Sequence, residues 1–162
     1  LYHKLKFPIS LSKYGKLHSR SSQRGNSMSK ILKCHPGIGD KTEGIVLCAN
    51  DNFSARYDLD RIKGVFSRPQ HKLFGKSYKN KILVLNESKG GVASAWMLYE
   101  MKVRDVVPKA ILFNKANTIL AQGAAHANLT MCDRFIDGDI TSLLKTGDKV
   151  IVDPSGGYIE II

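Results

Sequence analysis

The residues best suited to chemistry lie in a polar loop between a predicted strand and a predicted helix. Residues 81–85 form a continuous apolar run, typical of a strand covered on both faces, and the apolar residues of 95–103 recur at helical spacing. The loop between them contains Lys89, Gly90 and Gly91. Paired glycines let a backbone approach a ligand closely, although a plain tight turn also needs them. Because N–H groups at the start of a helix attract negative charge, the loop predicts an anion site.

Four side chains in or near predicted loops are candidates for ligand contact. Ser94 is either a base or a hydrogen-bond donor to a substrate, or it is the N-cap of the helix, and these roles are compatible. Lys89 either contacts a carboxylate or faces solvent. Arg56 and Arg68 are either carboxylate clamps, since a guanidinium binds a carboxylate through two parallel hydrogen bonds, or solvated surface arginines. Both arginines lie in predicted loops, where binding residues concentrate.

The three cysteines do not indicate a metal site. Cys34, Cys48 and Cys132 are too few and too scattered for a disulfide framework, and they form no Cys-x-x-Cys pair. We interpret them as buried free thiols and expect this chain to bind no metal by itself. No apolar run approaches the roughly 18 residues that a membrane-spanning helix needs, so we expect no membrane partner.

The basic charge of the chain is concentrated near its beginning. The 162 residues include 25 Lys+Arg and 14 Asp+Glu, for a net charge of +11, and residues 1–30 hold seven of the basic residues and no acidic one. The remaining residues carry 18 basic and 14 acidic side chains, or +4. We therefore predict a disordered basic tail at residues 1–30 and a single domain at 31–162. Residues 1–27 either resemble a transit peptide of a mitochondrial protein or precede a true start at Met28 in a cytoplasmic one.

Short apolar runs separated by glycine, asparagine and proline predict an α/β fold. One strand comes first, β-α-β-α-β follows, and a β pair closes the chain, which implies a mixed sheet with packed helices. We expect Trp96 and Met101 in the core, and we interpret His71 and His126 as surface or packed histidines. The predicted strands are 43–49, 81–85, 109–113, one near Phe135, 149–153 and 158–162; the predicted helices are 95–103, 117–127 capped by Asn117, and 140–144; residues 53–60 and 62–73 are predicted loops.

Seven short segments, taken in order, carry a family resemblance. They are FSARYD at 53–58, SRPQH at 67–71, GKS at 75–77, KILVL at 81–85, KGG at 89–91, AIL at 110–112 and TGD at 146–148. No segment is a strong motif alone, but their order and spacing make residues 43–153 resemble the swivel domain of the aconitase X family. These proteins are dehydratases of the aconitase superfamily. The resemblance implies a swivelling β/α domain that closes over an active site built largely by a bigger partner.

The resemblance also implies a division of labour between two subunits. This chain is expected to be the small subunit of a hydro-lyase, and a large subunit is expected to hold an iron or iron–sulfur cofactor. Elimination of water from a hydroxy acid needs a base, an acid for the leaving hydroxyl and a clamp for the carboxylate. We therefore predict Ser94 as catalytic and, as substrate-binding residues, Arg56, Arg68, Lys89, Gly90, Gly91, Ser54 and Ser67.

Two substrates fit the family, cis-3-hydroxy-L-proline and a phosphorylated mevalonate. The loop of the phosphomevalonate type runs Gly-(Arg)-Gly-Ser-Ser-Ser, with a hydroxyl thought to act as base. Its serines fall here on Gly91, Val92 and Ala93, and a glycine has no side chain that could take a proton. Ser88 and Ser94 are the nearest hydroxyls. The loop is more similar to the hydroxyproline branch, so we expect cis-3-hydroxy-L-proline as the substrate and keep phosphomevalonate as the alternative.

Two other functional classes stay open. The net charge suggests a nucleic-acid-binding module, but residues 31–162 contain no interleaved aromatic and basic motif and carry only +4, so we expect no nucleic-acid partner. The other class is a non-catalytic swivel-type domain that regulates a partner.

Overall fold

The computed structural model describes residues 28–162, so the predicted tail lies outside the described residues except for its last three positions. Within the described part, nine strands and four helices follow one another along the chain. In chain order they are β1 (Lys30–Lys33), β2 (Thr42–Cys48), α1 (Ala55–Asp58), β3 (Leu59–Asp60), β4 (Val65–Phe66), β5 (Ile82–Glu87), α2 (Val92–Val103), β6 (Ala110–Lys115), α3 (Thr118–His126), β7 (Thr130–Asp133), α4 (Ile140–Leu143), β8 (Lys149–Asp153) and β9 (Tyr158–Ile161).

A seven-stranded mixed sheet with the strand order β1-β9-β8-β2-β5-β6-β7 is the centre of the fold. Strands β2, β5, β6 and β7 are parallel, whereas β8 pairs antiparallel with β2 and β9, and β9 with β1. The segment after β1 bridges back to the far side of the sheet, where Cys34 pairs with Phe135 and Ile38 with Met131. The sheet therefore curls toward a closed barrel, and the predicted α/β class is confirmed.

Two apolar cores lie on the two faces of this curled sheet. One fills the barrel, where Leu32, Val84, Leu112 and Val152 are fully buried. The other lies between the sheet and helices α2 and α3. Its largest buried members are Phe53, Phe66, Tyr78, Phe113, Leu98 and Met101. Because the strands in the middle of the sheet are covered on both faces, their sequences are continuous runs of apolar residues.

Helices α2 and α3 pack closely against each other on the outer face. A Cβ atom added to Gly123 of α3 would lie 2.7 Å from Ala95 of α2, so the absence of a side chain allows the contact. Met101 is buried, as predicted, but the prediction for Trp96 is wrong, since 60% of its surface is exposed. Trp96 instead contacts Tyr99 and His126 edge-on at the surface.

Several predicted boundaries are wrong for local reasons. Lys30 belongs to β1 rather than to a tail, and only Leu32 of this strand is buried, which leaves almost no sequence signal. The strand expected near Phe135 lies at Thr130–Asp133, because Arg134 has a φ of +59° and breaks the extended backbone. The loop expected at 53–60 contains α1 and β3, and the loop at 62–73 contains β4.

Candidate functional site

Polar residues collect where the parallel strands β2 and β5 end. The carboxyl ends of parallel strands and the loops that follow them are the usual position of a ligand site in an α/β sheet. Here the loops are joined to each other, since Phe53 N donates to Glu87 O (2.9 Å) and Lys89 N donates to Phe53 O (2.7 Å). They border an open cleft of about 470 Å³ that is lined by Asp51, Asn52, Phe53, Ser54, Tyr57, Asp58, Arg68 and Lys89.

A buried carboxylate orients Arg68 in this cleft. Asp58 is only 3% exposed, and its Oδ1 accepts a hydrogen bond from Arg68 Nε at 2.5 Å. Its Oδ2 accepts one from Ser54 N at 2.7 Å. A charged pair with such bonds holds a guanidinium in one orientation. The Arg68 side chain stays 36% exposed, so it is a fixed positive group at the cleft surface, partly neutralised by Asp58.

His71 supports the cleft from below and does not reach the ligand space. It is buried, stacks on Phe66 at 4.6 Å and accepts a hydrogen bond from Leu73 N at its Nδ1. Its Nε2 lies 2.8 Å from Asn52 O and therefore carries the proton that it donates to this carbonyl. His71 is thus a packed histidine, as expected, and His126 is exposed.

Asp51 adds a negative charge to the cleft near Arg68 and His71, with its Oδ2 3.8 Å from His71 Nε2. Partial burial opposes ionisation, but N–H donors from Lys72 and Asn52 outweigh it and hold the pKa of Asp51 below its ordinary value. Asp51 is therefore ionised at neutral pH. Asp51 makes its part of the cleft, after β2, unfavourable for an anionic ligand.

The two glycines of the β5 side have different surroundings. Gly90 has a φ of +107°, and a Cβ atom added to it would lie 2.3 Å from Ser94 Oγ. Gly91 has a φ of −121°, and a Cβ atom there would meet nothing within 4 Å. Glycine is therefore required by backbone conformation and space at position 90 only.

Helix α2 begins in this loop without a side-chain cap. Gly91 is the N-cap, so the alternative of Ser94 as the cap is wrong; Ser94 is the third residue of the helix and is 2% exposed beneath Gly90. The first turn of α2 contains no acidic residue. Lys89 lies beside it, in an exposed ion pair with Glu87 at 3.2 Å.

One polar atom at this place lacks a partner. Ser54 is 8% exposed, and its Oγ, which is fully buried, has no hydrogen-bond partner in the part of the chain that the structure describes. This Oγ lies 4.0 Å from the position that a Cβ atom of Gly90 would take. Because a buried hydroxyl without a partner is costly and rare in proteins, it needs an explanation.

A second polar group at the same end of the sheet was not predicted. Asn114 Nδ2 donates to Asn86 Oδ1 at 3.0 Å and to Asp139 Oδ1 at 2.7 Å, and its own Oδ1 accepts from Ile140 N at 2.8 Å. These bonds hold the ends of β5 and β6 to the start of α4. The residues lie 25 to 28 positions apart, and only strand register brings them together.

Four of the seven predicted binding residues, Arg56, Ser67, Gly90 and Gly91, do not line the cleft. Arg56 is exposed on α1, with its guanidinium carbon 5.3 Å from the ring centre of Tyr57. Ser67 is exposed, and its backbone N donates to Asp58 O at 2.8 Å. Ser54, Arg68 and Lys89 line the cleft together. Gly90 lies close to Ser54 Oγ, with Ser94 beneath it.

The described residues do not fit an iron centre. Residues 28–162 contain no group of three or more His, Cys, Asp or Glu side chains placed to hold a metal ion. Cys34 and Cys132 belong to the barrel core, and burial, with Asp139 and Asp148 nearby, raises the pKa of Cys48 to about 11. A thiol with this pKa is a poor ligand at neutral pH, because metals bind the thiolate. Across residues 28–162, no helix is long and apolar enough to cross a membrane.

Comparison with known proteins agrees with this geometry. The aconitase X swivel domain family matches residues 31–161. The chain is 34% identical over 131 residues to the phosphomevalonate dehydratase small subunit of Thermococcus kodakarensis, over 81% of this chain and 96% of that subunit. It is 30% identical over 131 residues to the same subunit of Methanococcoides burtonii, over 81% of this chain and 95% of that one.

The fold is likewise similar to a solved structure. The holo-form of aconitase X from Thermococcus kodakaraensis superposes with a TM-score of 0.76 at 33% sequence identity, over 82% of this chain and 98% of the matched chain. A likeness of sequence and fold over nearly the whole described part leaves no doubt about the family: this chain belongs to the aconitase X swivel domain family.

Proposed function

We propose that this chain is the small subunit of a dehydratase that removes water from phosphomevalonate. The observation that carries the proposal is the similarity to phosphomevalonate dehydratase small subunits, which covers 95% and 96% of the two relatives described above. The six-residue loop alone favours cis-3-hydroxy-L-proline. We give more weight to the relatives, because their similarity extends over 131 residues rather than six.

The cleft supports a role in holding the substrate at a subunit interface. Phosphomevalonate carries a carboxylate and a phosphate, and the cleft offers the positive side chains of Arg68 and Lys89 to negatively charged groups. Elimination requires the proton next to the carboxylate and the leaving hydroxyl to be held in fixed geometry. Arg68, fixed by Asp58, is suited to orienting the substrate. The remaining chemistry is proposed for a large subunit that holds the iron.

The group that acts as the base and removes the proton from the substrate is treated separately within this proposal. Gly91 stands where the phosphomevalonate-type loop has a serine, and the space around it is open. Ser94 is the predicted catalytic residue, but it is buried beneath Gly90 and would need this loop to move before it could reach a substrate. A base from the large subunit is therefore part of the proposal.

The test is co-expression of the full chain with its cognate large subunit and an assay of both substrates. We expect dehydration of phosphomevalonate and at least about tenfold lower kcat/KM for cis-3-hydroxy-L-proline, because the cleft offers more positive groups than one carboxylate needs. The chain alone should be inactive. Preferential turnover of hydroxyproline by the complex would refute the proposed substrate, and turnover by the small subunit alone would refute the division between subunits.

Gly91→Ser is a useful variant in the same assay. It restores the hydroxyl of the phosphomevalonate-type loop at a position with room for it, so the complex should assemble normally. A rise in kcat would mean that position 91 faces the reacting proton. An unchanged kcat would favour a base elsewhere in the complex.

A further inference from the structure

Two of the three free cysteines lie side by side where the barrel closes. Strands β1 and β7 are the first and the last in the strand order, and the segment after β1 closes the sheet against the end of β7. The residues next to the two cysteines are joined there, since His35 N donates to Asp133 O at 3.3 Å. Cys34 and Cys132 belong to the same apolar core, and their thiols are hydrogen-bonded to each other.

A glycine opposite Cys132 makes room for this arrangement. A Cβ atom added to Gly37 would lie 2.2 Å from Met131 O and 2.7 Å from Cys132 Sγ, so the two segments approach this closely only because position 37 has no side chain. A pocket of about 210 Å³ opens beside the pair, and Gly37 and Cys132 are among the residues that line it. Cys34 itself is 7% exposed. The pair is therefore accessible to an oxidant as small as hydrogen peroxide.

The hydrogen bond between the thiols gives them different reactivity. Donation from Cys132 lowers the pKa of Cys34, and it outweighs the burial of Cys34 and the nearby charge of Asp133. The same bond, together with burial, raises the pKa of Cys132. Because the thiolate is the nucleophile, Cys34 is the sulfur that attacks an oxidant, and Cys132 is the thiol that follows. Cys48 has no thiol neighbour of this kind, and its Sγ donates to Thr141 O at 3.5 Å.

We propose that Cys34 and Cys132 form an oxidation site, at which a peroxide closes the barrel with a disulfide. The Cys34 thiolate attacks one oxygen of hydrogen peroxide, the O–O bond breaks, and the leaving hydroxide takes the proton released by Cys34, which gives a sulfenic acid and water. The Cys132 sulfur then attacks the Cys34 sulfur and displaces the hydroxyl, which leaves as a second water with the Cys132 proton. Two thiols and one peroxide thus give one disulfide and two waters. This inference does not rest on the proposed function.

The direct test treats the reduced full-length chain with hydrogen peroxide. We expect its mass to fall by about 2 Da, for the two hydrogen atoms lost, and its free thiols to fall from three to one. Peptide mapping without a reductant should find Cys34 joined to Cys132, and dithiothreitol should reverse the change. The matched control is Cys48→Ala, which should form the same bond. Three remaining thiols, a bond through Cys48, or a bond only between two chains would overturn the proposal.

Single substitutions separate the attacking thiol from the resolving one. In Cys132→Ala the sulfenic acid of Cys34 has no thiol to react with, so dimedone should label Cys34. In Cys34→Ala, dimedone should leave Cys132 unlabelled. Labelling of Cys132 in this variant would refute the assigned order of attack. Thermal unfolding shows whether each reduced variant keeps the fold, and if one does not, the peptide map of the unmodified chain decides.

The disulfide should also stabilise the closed barrel. It would tie the end of β1, a strand with only Leu32 buried, to β7, and it would enclose most of the domain in one loop. Because such a bond restricts the unfolded chain, the oxidised protein should unfold at a temperature about 5 °C or more above that of the reduced protein. Cys34→Ala should show no such rise with peroxide. An unchanged or lower temperature for the oxidised chain would refute closure of the native barrel.

Discussion

Helices α2 and α3 both begin at the same edge of the sheet, yet only α3 is closed by its own side chains. Asn117 Oδ1 accepts from Leu120 N at 2.7 Å, and Asn117 N donates to Ser88 Oγ at 2.7 Å. The corresponding position of α2 is Gly91, which offers no acceptor. The fold can thus satisfy a helix start internally through a side chain of the cap residue. The start of α2 has no such acceptor, so its first N–H groups depend on other partners.

The two helix starts are also joined physically. Asn117 Nδ2 donates to Gly90 O at 3.2 Å, so the cap of α3 holds the loop that precedes α2. The side chain that caps α3 therefore also stabilises the loop at the start of α2. This relation can be tested from either side.

The largest difference in stability is expected between substitutions of Gly90 and Gly91, the two glycines before α2. Gly90→Ala must place a Cβ atom 2.3 Å from Ser94 Oγ at a φ of +107°, and we expect the free energy of unfolding to fall by about 2 kcal/mol or more. Gly91→Ala meets open space and should change it by less than about 0.5 kcal/mol. Urea unfolding of both variants measures the difference, and equal losses would mean that the loop does not have this shape.

The difference between these glycines could not be predicted from the sequence. The sequence of residues 81–103 predicts a strand, a pair of glycines and a helix in this order, and the structure has this order with β5 at Ile82–Glu87 and α2 at Val92–Val103. The start of the helix was misplaced because Ser94 is a common cap residue, whereas Val92 and Ala93 resemble the end of a loop. Which glycine requires its missing side chain depends on the packing of Ser94, which no local pattern contains.

For the other residues of the cleft too, a local sequence pattern indicates the residue type but not its contacts in the fold. Arg68 and Lys89 were identified by residue type and by their loops, and both line the cleft. The partner of Arg68 was not identified, because Asp58 lies ten residues away across a turn that only the fold defines. Strands in the middle of the sheet were predictable from their apolar runs, but β1, with one buried side chain, was not.

A smaller loss of stability is expected when the side-chain cap of α3 is removed. Asn117→Ala removes the cap of α3 and the bond to Gly90 O, so we expect a loss of about 1 kcal/mol in the free energy of unfolding. Asn117→Asp is the matched variant: it keeps the accepting oxygen and loses the Nδ2 donor. It should retain most of the stability while loosening the Gly90 loop, measured as faster amide exchange at residues 89–91. Equal amide exchange at residues 89–91 in Asn117→Asp and in the unmodified chain would mean that the bond from Asn117 to Gly90 O does not stabilise the loop before α2.

The smallest effect is expected at the third helix start of this edge, which a charged residue closes. Hydrogen bonds from the Asn114 side chain and from Thr141 lower the pKa of Asp139, the N-cap of α4. Because the pKa of Asp139 is lower in the folded state, its ionised carboxylate stabilises the fold at pH values above its ordinary pKa of about 3.9. This contribution is lost as the pH falls below that value. Asp139→Asn keeps a capping oxygen and removes the titration. Its stability at pH 7 should fall by about 0.5 kcal/mol or less, since asparagine caps almost as well as aspartate. Between pH 5 and pH 3, its urea midpoint should decline less than that of the unmodified chain. Parallel declines would show that Asp139 gains nothing from its ionised form, and the closure of this edge would then depend on the neutral bonds of Asn114 alone.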